Sequence, residues 1–196
     1  MKTLKTTIAI LALSILTFSC SKGDEAIKKV YESENPLAKY LINTGFINAV
    51  PSFPALGFYE VGFTFKPLVV GKIISISIKL PAVRNNIKVT IWDLQTQLVV
   101  FDNSFNVSTA ASNMVFDINP LSLAANKDYV ISMNTDSYYI NAANIYNPVS
   151  ISHPIIVGNI SILNSRSKSG NTQMLPTMIS TSSYSGNCSF NFQQTE

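Results

Sequence analysis

The sequence predicts an all-β chain folded as a single antiparallel β-sandwich of jelly-roll type, and three observations predict it. From Phe58 onward, apolar and polar residues alternate with a period of two in run after run, the signature of strands with one buried face. Connectors containing Asn, Ser and Pro separate those runs (Arg84-Asn85-Asn86, Asn119-Pro120, Ala125-Asn126-Lys127-Asp128). No sustained 3.6-residue stripe follows residue 40. Many short one-faced strands bury themselves by packing as two sheets. Hydrophobic residues make up 46% of the 196 and charged residues 13%, so the chain has enough apolar material for a core.

Before the sandwich, the chain reads in three pieces. Residues 1–19 are a secretory signal. Lys2 and Lys5 form its positive start, and Ile8 to Leu16 form an apolar stretch too short to span a bilayer. The sequence Leu16-Thr17-Phe18-Ser19-Cys20 resembles a bacterial lipoprotein signal. That resemblance implies cleavage before Cys20 and acylation of its sulfur and new amine, with palmitate or a similar chain. Two or three acyl chains anchor firmly where one binds marginally. The expected address is therefore the outer membrane, on the periplasmic face or the cell surface. Two features depart from the usual signal: Leu16 stands four residues before the cysteine, and Phe18 is bulky for its place. Ser21-Lys22-Gly23-Asp24-Glu25 resembles the surface-export tag of some Gram-negative lipoproteins and reads equally as a polar tether. Residues 20–36 are charged and poor in core formers, which predicts a flexible tether with at most a frayed helical turn. Residues 37–56, with Gly45, Pro51 and Pro54 among scattered apolar groups, form a lead-in segment.

The sandwich is expected over 57–196. Val61, Phe63 and Phe65 alternate with Glu60, Gly62 and Thr64; Ile74, Ile76, Ile78 and Leu80 alternate with Ser75, Ser77 and Lys79. Ile87, Val89 and Ile91 alternate with Lys88 and Thr90, and Gln95-Thr96-Gln97 turns the chain into Leu98-Val99-Val100-Phe101. Met114, Phe116 and Ile118 share one face of a further strand, and Tyr129, Ile131 and Met133 one face of the next. Later runs are Val149–Ile151, Ile155–Val157, Ile160–Leu163, Met178–Ser180 and Cys188–Phe192.

The succession Gly62-Phe63-Thr64-Phe65, Val70-Gly71-Lys72-Ile73, Val89-Thr90-Ile91-Trp92-Asp93, Leu98-Val99-Val100-Phe101 and Asp128-Tyr129-Val130-Ile131-Ser132 resembles a bacterial surface β-sandwich family known only as a domain of unknown function. Ser182-Ser183-Tyr184-Ser185-Gly186-Asn187 and a closing strand continue the likeness, which covers about residues 57–193. The resemblance implies the sandwich fold. It also implies kinship with modules appended to secreted adhesive or polysaccharide-active proteins, although here no second domain is expected. The turn after Trp92-Asp93 lacks the glycine the family carries there and has Gln95-Thr96-Gln97 instead.

Composition excludes several functions. Fourteen Lys and Arg face eleven Asp and Glu, and loss of Lys2 and Lys5 with the signal leaves twelve against eleven. Such a chain has no basic face for nucleic acid. One His and two Cys leave no His/Cys zinc cluster. His153, the single histidine, stands before Pro154 without a Gly-x-Ser-x-Gly elbow, so no nucleophilic triad is expected. Glu60, Asp93, Asp102, Asp117, Asp128 and Asp136 could pair for glycoside hydrolysis, but most sit beside turns, where Asp caps its own backbone. The chain is read as a non-enzyme.

The cofactor expectation is none, with a structural Ca²⁺ as the open alternative. Asp102-Asn103, Asp117-Ile118-Asn119 and Asn134-Thr135-Asp136 supply the oxygen ligands that Ca²⁺ takes. Cys188 shares a face with Phe190 and Phe192 and is expected inside as a small hydrophobe. Alternation puts Trp92 on the face opposite Ile91, where an exposed ring would stack on a sugar or anchor a partner, unless a bulge or covering loop intervenes. Tyr138, Tyr139 and Tyr146 stand among Asn141, Asn144 and Asn147, a mixture suited to adaptable contacts. The expected function is a lipid-anchored, non-catalytic module that binds a glycan or polysaccharide. The alternative is an interaction subunit that docks an envelope protein.

Overall fold

The computed structural model describes residues 29–46, 48–51, 57–142 and 151–196. The signal, Cys20, the acidic tag, Tyr146 and most of the Val149–Ile151 run lie outside the described residues. Fourteen strands and one helix follow in order among the described residues: β1 (Ser33–Glu34), α1 (Pro36–Thr44), β2 (Asn48–Pro51), β3 (Tyr59–Pro67), β4 (Gly71–Lys79), β5 (Arg84–Asp93), β6 (Val99–Val107), β7 (Met114–Leu123), β8 (Tyr129–Thr135), β9 (Tyr139–Ala142), β10 (Ile155–Val157), β11 (Ile160–Ser169), β12 (Met178–Ser180), β13 (Ser183–Ser185) and β14 (Asn187–Gln194).

Two antiparallel sheets make the sandwich. The smaller runs β1-β14-β4-β7. The larger runs β10-β11-β3-β8-β5-β6, with β12 also pairing with β11. A third sheet, β13-β9-β2, completes the fold. The all-β sandwich expected from alternation is the fold observed. The two main sheets meet through aromatic rings: Phe190 of β14 lies 4.6 Å from Phe65 and 6.1 Å from Phe63 of β3, and Phe105 of β6 lies 4.9 Å from Phe116 of β7. Such ring pairs add roughly 0.5–1.5 kcal/mol each beyond the area they bury. Cys188 is a free, fully buried thiol in this layer, in the phase its alternation predicts.

Two sequence boundaries move. Residues assigned to the tether and lead-in enter the fold, because Asn35 and Pro36 start a real helix. The Asn35 side chain accepts the Leu37 N–H at 3.2 Å, and Pro36 occupies the first turn. Gly45, at φ 68°, closes the helix by donating its N–H to the Ile42 carbonyl. The helix buries Leu37 and Tyr40, with Phe46 just beyond it, and Tyr40 packs edge-on against Phe46 and Tyr184. Ser33 and Glu34 add a short edge to β14. Within β4, a register shift between Ile73 and Ser75 turns Ile73, rather than Ile74, into the core with Ile76 and Ile78.

Candidate functional site

The large sheet has an inner face of Val61, Phe63, Phe65, Val89, Ile91, Ile131 and Met133, all fully buried. Its other face carries, in register across β5, β8, β3 and β11, the rows Lys88–Asn134–Glu60–Lys168, Thr90–Ser132–Gly62–Arg166 and Trp92–Val130–Thr64–Asn164. The centre of this outer face is also buried, while Lys88, Asn134, Asn164, Arg166 and Lys168 are partly exposed. Glu60, Thr64, Thr90 and Ser132 are all 0% exposed. Gly62 belongs here for a local reason: a Cβ at that position would strike the Ile131 carbonyl oxygen of the neighbouring strand.

Residues 170–177 cross this face between β11 and β12 and are pinned at several points. The Gly170 N–H donates to the Phe58 carbonyl at 2.9 Å, and the Gly170 carbonyl accepts from the Asn134 amide at 3.1 Å. The Gln173 amide donates to the Thr90 hydroxyl at 2.7 Å, and Arg166 donates to the Pro176 carbonyl at 3.0 Å. Beneath them runs a chain of polar contacts. Trp92 Nε1 donates to Ser132 Oγ at 3.3 Å, Ser132 donates to Glu60 Oε1 at 2.7 Å, and Asn134 donates to Glu60 Oε2 at 3.1 Å. Burial pushes the Glu60 carboxyl up to about 7, against the opposing pull of those two donors and of the Lys88 charge.

Where this covered face reaches the end of the sheet, a cleft of about 310 Å³ opens. Three chain segments build it: the start of β5, the end of β8, and the 170–177 segment beside Phe58. Asn85 and Asn86 occupy an irregularity in the β5–β6 register between Arg84 and Ile87, and Asn86 adopts φ 57°, a conformation Asn tolerates better than most residues. Arg84 holds Asp136 with two donors, Nε to Oδ1 at 2.7 Å and an Nη nitrogen to Oδ2 at 3.4 Å. Phe58 stands 47% exposed at the margin. Among the described residues, the side-chain amides of Asn85, Asn86 and Asn171 make no hydrogen bond within the protein, so their donors and acceptors are available to a ligand.

The expected ligand-binding aromatics stand elsewhere. Trp92 is 8% exposed and tied to Ser132, which corrects the expectation of an open stacking platform. Its phase is as alternation indicates, yet the ring is buried on that face. Tyr138 and Tyr139 are also buried, at the start of β9, with Tyr138 edge-on to Tyr59 at 5.8 Å. They pack onto their own sandwich instead of forming an adaptable loop, and Asn141 is buried with its amide bonded to Asn187. Tyr146 lies outside the described residues.

The candidate calcium ligands do not converge. Asp102 and Asp117 line one open cleft between β6 and β7, but Asp102 is paired with Lys88 at 2.8 Å and Asp136 with Arg84 on the other cleft. No cluster of three or more His, Cys, Asp or Glu side chains fit for a metal ion occurs among the described residues. His153 meets the Tyr40 hydroxyl at 3.1 Å, and burial pulls its imidazole down from the usual range. Asp93 makes its turn by accepting the Gln95 and Thr96 N–H groups, while Gln97 takes the positive φ of 59°. Lys127, 2.7 Å away, holds the Asp93 carboxyl down at about 2.

Sequence reasoning passed over Phe58, Asn85, Asn86, Asn171 and Gln173. The usable signal was the Arg84-Asn85-Asn86 connector, where two amides follow a guanidinium at a strand start. Compared with models of known protein families and with curated proteins, the chain matches none.

Proposed function

We propose that the chain is a non-catalytic glycan-binding module, held at the outer membrane through an acylated Cys20, that uses the Phe58–Asn171 cleft. The observation that supports this reading is the set of open amides of Asn85, Asn86 and Asn171 beside the exposed Phe58 ring. Amides match the paired donor and acceptor character of sugar hydroxyls, and an aromatic face covers the apolar side of a sugar ring. The strand-and-turn pattern that resembles the surface β-sandwich family points the same way, since such modules accompany polysaccharide-active proteins. A glycan array probed with the full chain in detergent tests it, followed by calorimetry on the hits. Phe58→Ala and Asn171→Ala should each lose binding at least tenfold while the melting curve stays in place. Unchanged binding in both variants removes the cleft from the function.

A second reading, an interaction subunit for an envelope protein, has one observation in its favour. Leu98, just before the edge strand β6, and Val99 and Val100 at its start are 65%, 42% and 39% exposed. A pull-down from envelope extracts with wild type and Leu98→Lys separates it from the first.

A further inference from the structure

The charges around the cleft narrow the ligand class. The three outer-face rows described above and the cleft margin carry four cations: Arg84 and Lys88 line the cleft, and Arg166 and Lys168 stand farther along the rows. Three carboxylates stand with them: Glu60, Asp102 and Asp136. Asp102 pairs with Lys88 at 2.8 Å and Asp136 with Arg84 at 2.7 Å, both in partly exposed ion pairs. Arg166 spends its donors on the Thr64 hydroxyl and the Pro176 carbonyl, both neutral acceptors. Among the described residues Lys168 has no carboxylate partner, and it stands in register beside Glu60. The local balance therefore depends on Glu60. With that carboxyl neutral, four cations face two carboxylates; with it ionised, they face three. The chain as a whole is close to neutral after the signal is removed, so this is a local concentration of positive charge.

Resting on the glycan-binding reading, we infer that the cleft takes an acidic glycan, one bearing uronate carboxylates or sulfates, and that Glu60 is a positioning residue whose ionisation weakens that binding. The link is direct. Glu60 bonds the Asn134 amide, and Asn134 lines the cleft and carries the Gly170 carbonyl on its other donor. Charge on Glu60 thus stands one hydrogen bond from the cleft wall, in a buried layer where screening by salt is poor. The titratable and charged groups around it are Lys88 on β5, Asp102 on β6, Arg166 and Lys168 on β11, and the buried Cys188 thiol of the facing sheet. Ser132 and Asn134 on β8 are neutral, and residues 170–177 contain no titratable side chain. Burial raises the Glu60 carboxyl to about 7, so its charge changes near neutral pH.

The experiment uses the full chain in detergent and two oligosaccharides of equal length, one of galacturonic acid and one of neutral galactose, measured by calorimetry. The acidic oligomer should bind, and its affinity should fall when salt is raised. It should fall again, several-fold, between pH 6 and pH 8. Glu60→Gln should abolish the pH dependence, and Lys168→Gln should weaken the acidic oligomer several-fold. An amide side-chain NMR signal from Asn134 that shifts with pH in wild type and not in Glu60→Gln reports the positioning role without any ligand. Equal binding of the neutral oligomer, insensitive to salt, overturns the acidic assignment and leaves the glycan reading standing. Binding of neither oligomer, nor of any glycan on the array, overturns both. A pH dependence that survives Glu60→Gln removes Glu60 from the account.

Discussion

The two faces of the large sheet both have buried centres, made by different means. The inner face is apolar throughout and is closed by the rings and branched side chains of the smaller sheet, Phe190 above all. The outer face is polar by composition and is crossed by a segment of irregular backbone held through hydrogen bonds to Asn134, Thr90, Arg166 and the Phe58 carbonyl. An apolar face is stabilised in proportion to its area and tolerates approximate fit. A buried polar face is stabilised only when each donor and acceptor has a partner, so its stability depends on single contacts and on pH.

The largest effects should come from aromatic truncation on either face. Phe63→Ala should cost about 3–5 kcal/mol in denaturant unfolding, as for a fully buried ring. Trp92→Ala should cost a comparable amount, also about 3–5 kcal/mol, because its ring is buried although it lies on the outer face. A shift of less than about 0.5 kcal/mol for Trp92→Ala is surface behaviour and breaks the claim that the centre of the outer face is buried.

Next in size is the pH response of Glu60. Its folded carboxyl is raised to about 7 from 4.5, so between these values the folded chain holds a proton that the unfolded chain has released. Stability from this group is therefore greatest below about pH 4.5 and drains as pH rises to 7, by about 3 kcal/mol in all. Unfolding free energies at pH 5, 6, 7 and 8 should decline through that range in wild type and lose most of the slope in Glu60→Gln. Asp93 works in the opposite sense and in a separate window. Its carboxyl is lowered to about 2, so its contribution is present above pH 3.8 and is lost only as pH falls further.

A smaller effect sharpens the role of the covering segment. Gln173→Ala removes the bond to Thr90 and should cost about 1 kcal/mol. Amide hydrogen exchange should then speed up at residues 170–177 and on the outer-face strands, and leave β14 protected. Exchange that quickens equally on both faces shows that they open as one unit. The smallest expected change is Lys88→Ala, which breaks a half-exposed pair with Asp102 and should alter stability by less than about 1 kcal/mol.

Particular residues show how far sequence reading reached. Alternation located most of the long strands and the phase of Val61, Phe63, Phe65, Ile131 and Met133, because the two-residue period belongs to the backbone of each strand. It also placed Cys188 inside and Trp92 opposite Ile91. It misjudged residues 33–46, where a helix start was written in Asn35-Pro36 but the surrounding charge read as tether. The candidate site was scarcely legible. Its residues come from positions 58, 84–88, 134–136 and 171–173, and no local pattern announces that such distant segments converge.

The sequence alone determined which residues of each strand turn away from the core, since that follows from pleat geometry one strand at a time. Whether those residues meet water was decided only in the tertiary structure. Residues 170–177 reach back to Phe58, Thr90 and Asn134, the last two 83 and 36 residues earlier than their partners and the first farther still. The cleft beside Phe58 opens at the edge of that crossing, and burial on this face raises the Glu60 carboxyl. Burial of a residue on the far side of a strand depends on what is laid over it. A covering segment is chosen by long-range hydrogen bonds, which leave no period in the sequence.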